Sequence, residues 1–162
     1  NKLLSKTGLE LDIYPVKGEC FSVVTKSQLI TTTVFSPSCY LVPKKGGRII
    51  VGATVKPRTF NHKVTVEGIS ILLEQAKKLM PSIIEAEWER TWAGIRPQTG
   101  DGLPYLGEHP VYKGLFIATG HFRNGILLSP ITGEIIADMV EGKPTSLNLK
   151  PFRVDRLIKQ LT

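Results

Sequence analysis

The chain has 162 residues, of which 41% are apolar and 22% charged, a composition that fits one folded domain and excludes disordered and low-complexity classes. Its net charge of +7 is the balance of 21 Lys and Arg against 14 Asp and Glu. The basic clusters at 44–45, 77–78 and 153–159 are short and scattered, without interleaved aromatic residues or a zinc-finger, KH or RRM motif. A solvated basic surface is therefore favoured over nucleic-acid binding. No signal peptide or apolar stretch of membrane-spanning length is recognisable, so a cytoplasmic protein without membrane association is expected.

The first half of the chain predicts an antiparallel sheet. Alternating apolar residues up to Ile13 indicate an extended segment that Pro15 and Gly18 interrupt. Strands are predicted at 20–25, 28–33, 38–43 and 48–52, separated by turn residues such as KKGG at 44–47. Short connections of this kind join antiparallel neighbours.

Only two cysteines occur, Cys20 and Cys39, and they lack CxxC spacing. Free, buried thiols in a reducing cytosol are favoured over a disulfide.

The periodicity then changes from strand to helix. Apolar residues at helical spacing between Ile69 and Leu79 predict a one-sided helix over 67–80, which Pro81 ends. Residues 87–95 return to strand-like alternation, with Trp88 and Trp92 on one face as expected core residues.

The second half predicts a strand, a polar loop and a helix. GIRPQTGDGLPYLG at 94–107 indicates a loop ending in a short strand near 103–106, and 114–119 indicates another strand. A long amphipathic helix follows the stretch ATGHFRNG, with Pro130 in its first turn, and ends at Gly142. The tail from 147 onward is expected to add a short strand or turn.

This order predicts an α+β fold with a mainly antiparallel or mixed sheet and one packed helix. The strand, loop and helix that follow it belong to a larger parallel sheet as a rule, and no partner βαβ unit is present. Because the chain also begins at Asn1 without Met, a fragment is expected.

The start of the last helix is the first candidate site. Helix amides and the positive end of the helix dipole attract an anion there, and Gly120 and Gly125 permit close backbone approach. The alternative is an ordinary capped helix with Arg123 paired to a surface carboxylate. His121 alone is more typical of a structural hydrogen-bonding residue than of a catalyst.

Two further residues are candidates for ligand binding. Arg96, between Gly94 and Pro97, suits bidentate binding of a carboxylate, and its alternative is an ion pair with Asp101 or Glu108. Tyr40 is either an amphipathic core residue, which the pattern favours, or a phenol donor to a ligand.

Other catalytic motifs are missing from the sequence. It holds no GxSxG, HExxH or phosphate-binding loop, and the dispersed His62, His109 and His121 do not predict a metal site.

GIRPQTGDGLPYLG followed by IATGHFRNGILLSPITGEIIADMVEG resembles the C-terminal part of FAD-dependent D-amino-acid-oxidase-like flavoproteins, in particular the glycine oxidases. YPVKGECFSV at 14–23 and CYLVPKKGGRIIVGAT at 39–54 extend the resemblance over nearly the whole chain.

The resemblance implies four segments. Residues 1–20 enter the fold, 21–95 form a substrate-binding sheet and helix, 96–145 supply flavin-facing loops, a strand and a helix of an incomplete FAD-binding domain, and 146–162 form a tail.

It also implies roles for single residues. Arg96 binds the carboxylate of a small amino-acid or amine substrate, Tyr40 hydrogen-bonds to it, and Arg123 adds to the substrate or flavin side. The cofactor-binding positions that it implies are Gly94, His121, Phe122, Arg123, Asn124, Gly125 and Ile126. Because the Arg96 loop contains no Cys, the FAD is expected to be noncovalent.

The implied reaction is oxidative deamination of glycine or a small amine to an imine and then a keto acid, with release of ammonia and hydrogen peroxide. Arg96 and Tyr40 are expected to promote this reaction by orienting the substrate. No protein acid or base is expected to take part. The resemblance to bacterial relatives also implies a role in thiamine synthesis.

One departure from the family is the absence of GxGxxG, the turn that binds the FAD pyrophosphate. The chain alone is therefore expected to lack turnover, to bind FAD weakly or not at all, and to need an N-terminal Rossmann half. An exposed docking surface would favour a homo-oligomer. The alternatives are a noncatalytic anion- or partner-binding module, and a sarcosine-like oxidase or a dehydrogenase.

Overall fold

The computed structural model describes residues 3–4 and 6–157. They fall into two compact units. Val16–Ile95 form one, here the sheet unit, and the described residues before 16 and after 95 form the other, here the hairpin unit.

The sheet unit confirms the predicted α+β architecture. Its strands are β1 (Ile13–Val24), β2 (Val34–Phe35), β3 (Tyr40–Pro43), β4 (Arg48–Gly52), β5 (Lys56–Pro57) and β6 (Glu87–Thr99). The order is β2-β3-β4-β1-β5, every neighbouring pair in it antiparallel, and β6 pairs with β1. The first residues of β1 and the last of β6 belong to the hairpin unit.

One helix covers the core of this sheet. Thr65 caps helix α1 (Val66–Leu79), since its hydroxyl accepts a hydrogen bond from the Gly68 amide at 3.1 Å. A 3₁₀ turn at Pro81–Glu85 follows the helix. The shared core consists of buried apolar residues from both layers: Phe21, Val23, Cys39, Leu41, Ile49, Val51, Leu72, Ala76, Met80 and Ile83. Cys20 and Cys39 are buried thiols that form no disulfide with each other, as their spacing favoured.

The sheet corrects three sequence predictions. Residues 28–33 form no strand, because they are almost all exposed and have no buried face to stabilise one. Strand β1 starts at Ile13 and runs through Pro15 and Gly18, which do not interrupt it. Trp88 is 50% exposed and stacks on Phe21 at 4.8 Å, so it covers the sheet surface instead of lying in the core.

A buried ionic cluster lies under the start of α1. The Glu19 carboxylate is fully buried and accepts from the Thr65 amide and hydroxyl at 2.9 and 3.0 Å. The Lys17 ammonium lies 3.0 Å from it and also donates to the Asn61 side chain and the Lys63 carbonyl. Burial acts to raise the pKa of Glu19, but hydrogen bonds from Lys17, Thr65 and Thr54 outweigh it and hold the pKa at about 2.

The hairpin unit is built on two antiparallel strands, β7 (Tyr105–Glu108) and β8 (Phe116–Thr119), with helix α2 (Gly125–Val140) packed against them. Its small core contains apolar residues from distant parts of the chain: Leu9, Leu11, Tyr105, Ile117 and Val154. The tail forms a 3₁₀ turn at Lys150–Phe152, and the rest of its predicted structure, 158–162, lies outside the described residues.

The predicted amphipathic character of α2 is wrong. Its apolar residues surround the helix, only Ile135 is buried, and Ile126 and Leu127 are 92% and 77% exposed. A helix that is apolar on all sides normally lies inside a larger structure.

The position of Pro130 is also corrected. The helix starts at Gly125, so Pro130 lies in the second turn, where its missing N–H leaves the Ile126 carbonyl without a backbone donor. The Ser129 hydroxyl donates to that carbonyl at 2.8 Å and takes the place of the lost bond.

We expect Glu19→Gln to lower the free energy of unfolding by about 3 to 5 kcal/mol, because it leaves the Lys17 ammonium buried without its counter-charge. Glu74→Gln is the control, since Glu74 is exposed and its ion pair with Lys77 lies in solvent. Urea unfolding measures both. Adding Lys17→Met to Glu19→Gln should restore part of the loss, and equal effects of the two Glu variants would contradict the assignment.

The contribution of Glu19 to the stability of the fold depends on pH. A carboxylate with a pKa lowered to about 2 stabilises the fold above its ordinary pKa near 4.5, and the contribution is lost as pH falls toward 2. Glu19→Gln should therefore flatten the stability profile in that window.

Candidate functional site

The predicted site residues occupy both units. Arg96 and the stretch 121–126 lie in the hairpin unit, and Tyr40 lies in the sheet unit. Gly94 lies in the sheet unit as well, in β6, and a Cβ added to it would meet no atom within 4 Å.

Arg96 lies on a strand and not on the predicted loop, because β6 continues through Thr99. Its proposed alternative partners are engaged elsewhere: Asp101 pairs with Arg156 at 2.7 Å and Glu108 with Lys113 at 3.4 Å. Within residues 3–4 and 6–157, Arg96 forms no ion pair. The half-buried guanidinium is thus not committed to a carboxylate of this part of the chain.

Arg156 fixes the loop that follows β6. It donates to the Asp101 carboxylate and to the Leu103 and Pro104 carbonyls, and its guanidinium lies 3.7 Å from the centre of the Tyr105 ring. The hydrogen bond from Arg156 lowers the pKa of Asp101 to about 2. No local pattern predicts this contact, since 55 residues separate the partners.

The turn at Gly120–Asn124 is joined to the end of β6. The Phe122 amide donates to the Pro97 carbonyl at 3.1 Å, and Gln98 forms a bridge with His121. Gly120 has φ +86°, and a Cβ there would lie 2.4 Å from the Thr99 methyl. Phe122 has φ +50°, a region that non-glycine residues seldom adopt. The structure therefore brings together the Arg96 strand and the predicted helix tip.

The start of α2 has no side-chain cap. The Asn124 side chain accepts no bond from the first turn, so its amides are not covered by the usual N-cap oxygen. Arg123 is exposed and forms no ion pair with the described residues. Both parts of the alternative interpretation, a capped helix and a paired Arg123, are absent from the described chain.

His121 has a structural contact. Its Nε2 lies 3.1 Å from the Thr132 hydroxyl on α2, and burial lowers the pKa of its ring. This contact with the helix behind it ties the turn to α2. Gly125 lies nearby with room to spare, because a Cβ added to it would sit at an ordinary contact distance of 3.8 Å from the Cβ of His121.

Tyr40 begins β3 and is half-buried, outside the apolar core cluster. Its ring lies 5.8 Å from that of Phe35, and its hydroxyl lies 4.0 Å from the Cys20 sulfur. The favoured prediction that Tyr40 is a core residue is thus not what the structure shows, and its hydroxyl lies on the face of the sheet opposite to α1.

An apolar cavity of about 720 Å³ in the hairpin unit was not predicted. It is lined by Leu3, Leu4, Leu11, Ile13 and 115–119. The unbroken apolar run of β8, without alternating polar residues, is typical of a strand covered on both faces and is the signal that sequence reasoning passed over.

The uncapped α2 tip fits the anionic portion of a flavin, since backbone amides and a helix dipole stabilise negative charge. The exposed Ile126 beside it suits contact with a planar apolar ring. No group of three or more metal-ligating side chains occurs within the described part of the chain. None of its helices is long and apolar enough to cross a bilayer.

The chain is similar to bacterial glycine oxidases. Glycine oxidase from Geobacillus kaustophilus is 54% identical over 97% of the chain, and glycine oxidase from Bacillus licheniformis is 44% identical over 95%. The chain spans only 42% of each of these relatives. The crystal structure of the Geobacillus kaustophilus enzyme superposes with a TM-score of 0.93, covering 97% of this chain and 43% of that one.

The family model for FAD dependent oxidoreductases matches residues 1–139. The resemblance identified from the sequence motifs is thereby confirmed, and the chain belongs to the FAD dependent oxidoreductase (DAO) family.

Proposed function

We propose that the chain is the C-terminal part of an FAD-dependent amine oxidase that deaminates glycine or another small amino acid. The observation that supports this most directly is the hydrogen-bonded junction between the Arg96 strand and the uncapped start of α2. It joins the Arg96 guanidinium, which can bind a carboxylate, to the backbone amides at the start of α2, which can bind an anionic ring.

In this proposal Arg96 binds the substrate carboxylate. A guanidinium forms two parallel bonds to a carboxylate, and that geometry fixes the orientation of the substrate α-carbon as well as its position. The family resemblance adds a hydrogen bond from Tyr40 and a contribution from Arg123. The site residues then bind and orient the substrate, and none of them needs to transfer a proton.

The residues assigned to the cofactor are Gly94 and 121–126. When bound, FAD supplies the two-electron acceptor for the amine. The α2 amides stabilise negative charge at the tip, and the left-handed Gly120 and Phe122 hold those amides in place. His121 supports the turn through Thr132.

The proposed partner of the hairpin unit is an N-terminal Rossmann half. The docking surface that the hairpin unit offers to this partner comprises the exposed apolar side chains of α2 and the apolar cavity beside β8. Of the described residues only β7 pairs with β8, which leaves one strand edge for further pairing. Exposed apolar surface of this extent is typical of an interface.

The first test is the visible spectrum of the purified 162 residues after incubation with FAD and gel filtration. We expect no flavin absorbance to elute with the protein, because the sequence lacks the pyrophosphate-binding turn. Co-elution of a flavin band with a monomer would contradict the need for a second half, and co-elution with a dimer would indicate self-association through the docking surface.

Arg96→Ala, made in the longest open reading frame that contains these residues, should raise KM for glycine and weaken carboxylate inhibitors. The loss corresponds to roughly 2 to 5 kcal/mol in a desolvated site. Arg90→Ala, on the same strand, is the control, since its guanidinium stacks on Trp92 at 5.2 Å. Unchanged KM in the Arg96 variant, with FAD content intact, would refute its role.

Gly120→Ala, made in the longest open reading frame that contains these residues, tests the start of α2 itself. The added methyl would meet Thr99 and distort the turn, so we expect a clear loss of FAD affinity by fluorescence titration. Gly114→Ala is the matched control, because Gly114 has a similar φ of +80° and no atom within 4 Å of the added methyl. Equal FAD affinities in the two variants would show that the tip does not contact the flavin.

A further inference from the structure

We propose that Gly52 and Cys20 are positioning residues that fix the Tyr40 hydroxyl where it contacts the substrate. The inference rests on the proposed role of Tyr40 and adds two residues that neither the sequence motifs nor the family assignment singled out.

The three residues form one row across the sheet. Tyr40 on β3 pairs with Gly52 on β4, and Gly52 pairs with Cys20 on β1. Directly paired residues of antiparallel strands extend to the same face. Because Gly52 has no side chain, the Tyr40 ring extends across β4 and its hydroxyl reaches Cys20 at 4.0 Å.

The space over Gly52 is already filled by the phenol. A Cβ on Gly52 would lie 2.6 Å from the Tyr40 hydroxyl, 2.8 Å from Cζ and 2.8 Å from the Cys20 sulfur. These contacts are closer than side-chain carbons tolerate, and the clash falls on the end of Tyr40 that carries the hydroxyl. Glycine is therefore required at this position for steric room, since its φ is not in the left-handed region.

The next row separates this arrangement from the core. Leu41, Val51 and Phe21 are paired neighbours that extend to the opposite face and belong to the core cluster. A change at Val51 thus loosens the same strand from the other side without touching the phenol.

The Cys20 sulfur limits the movement of the hydroxyl. It is buried, it lies at the far end of the row, and Phe35 contacts the Tyr40 ring from the neighbouring strand. A thiol is a weak hydrogen-bonding group, so it confines the phenol sterically more than it competes for its proton.

The test is steady-state kinetics with glycine in the longest open reading frame that contains these residues, with FAD content measured for each variant. Tyr40→Phe should raise KM about tenfold or more with kcat changed less, the pattern for a lost binding contact. Gly52→Ala should raise KM to a similar extent. In the Tyr40→Phe background Gly52→Ala should add less than about twofold, because there is no hydroxyl left to misplace.

Val51→Ala is the matched control for loss of sheet stability and should leave KM within about twofold. Where Gly52→Ala does not fold, Cys20→Val takes its place, because its branched side chain meets the same hydroxyl. The same dependence on the Tyr40 background is then expected.

The outcomes separate the inference from the proposed function. If Tyr40→Phe leaves KM unchanged, the proposed role of Tyr40 fails and the inference fails with it. If Tyr40→Phe raises KM while Gly52→Ala and Cys20→Val do not, only the positioning inference fails. It also fails if Gly52→Ala raises KM equally in both backgrounds, since the effect then does not pass through the hydroxyl.

Discussion

The buried carboxylate of Glu19 is the interaction on which the sheet unit depends. Its two oxygens receive bonds from β1 through Lys17, from the start of α1 through Thr65, and from the segment after β4 through Thr54. Gly68 is part of the same arrangement, because a Cβ there would lie 1.8 Å from the carboxylate. A charge in this position is stable only while all its partners remain, so strand, helix and connection are fixed together.

In the hairpin unit, by contrast, mainly backbone contacts fix the positions of the loops. Pro97, which cannot donate, accepts from Phe122, and Gly120 packs on Thr99 without a side chain between them. Arg156 then holds the next loop by its guanidinium. The α2 tip and the Arg96 strand are in this way parts of one local structure. Such coupling suits the proposed role of orienting a small substrate with few contacts.

Sequence reasoning predicted what depends on periodicity. Helix α1 differs from its predicted limits by one residue at each end, and β4 matches Arg48–Gly52. It failed where tertiary contacts override local signals. Pro15 and Gly18 predicted an interruption, but pairing with β4 and β5 keeps β1 extended from Ile13 to Val24.

The candidate site shows the same division. The turn around 121–126 could be predicted from its glycines and its place before a helix. The missing cap at Asn124 could not be predicted, because Asn is a common N-cap residue and only the structure shows that its side chain does not cap α2. The roles of Gly52 and Cys20 were equally hidden, since cross-strand pairing brings together residues that are 32 positions apart.

Ser129 and Pro130 compensate each other within one turn of α2. Proline removes a backbone donor, and the preceding serine returns one to the Ile126 carbonyl. Loss of the serine alone would expose the defect, whereas loss of the proline alone would leave the helix with a normal amide. The two positions are therefore energetically coupled, since the cost of losing the Ser129 hydroxyl depends on whether residue 130 is a proline.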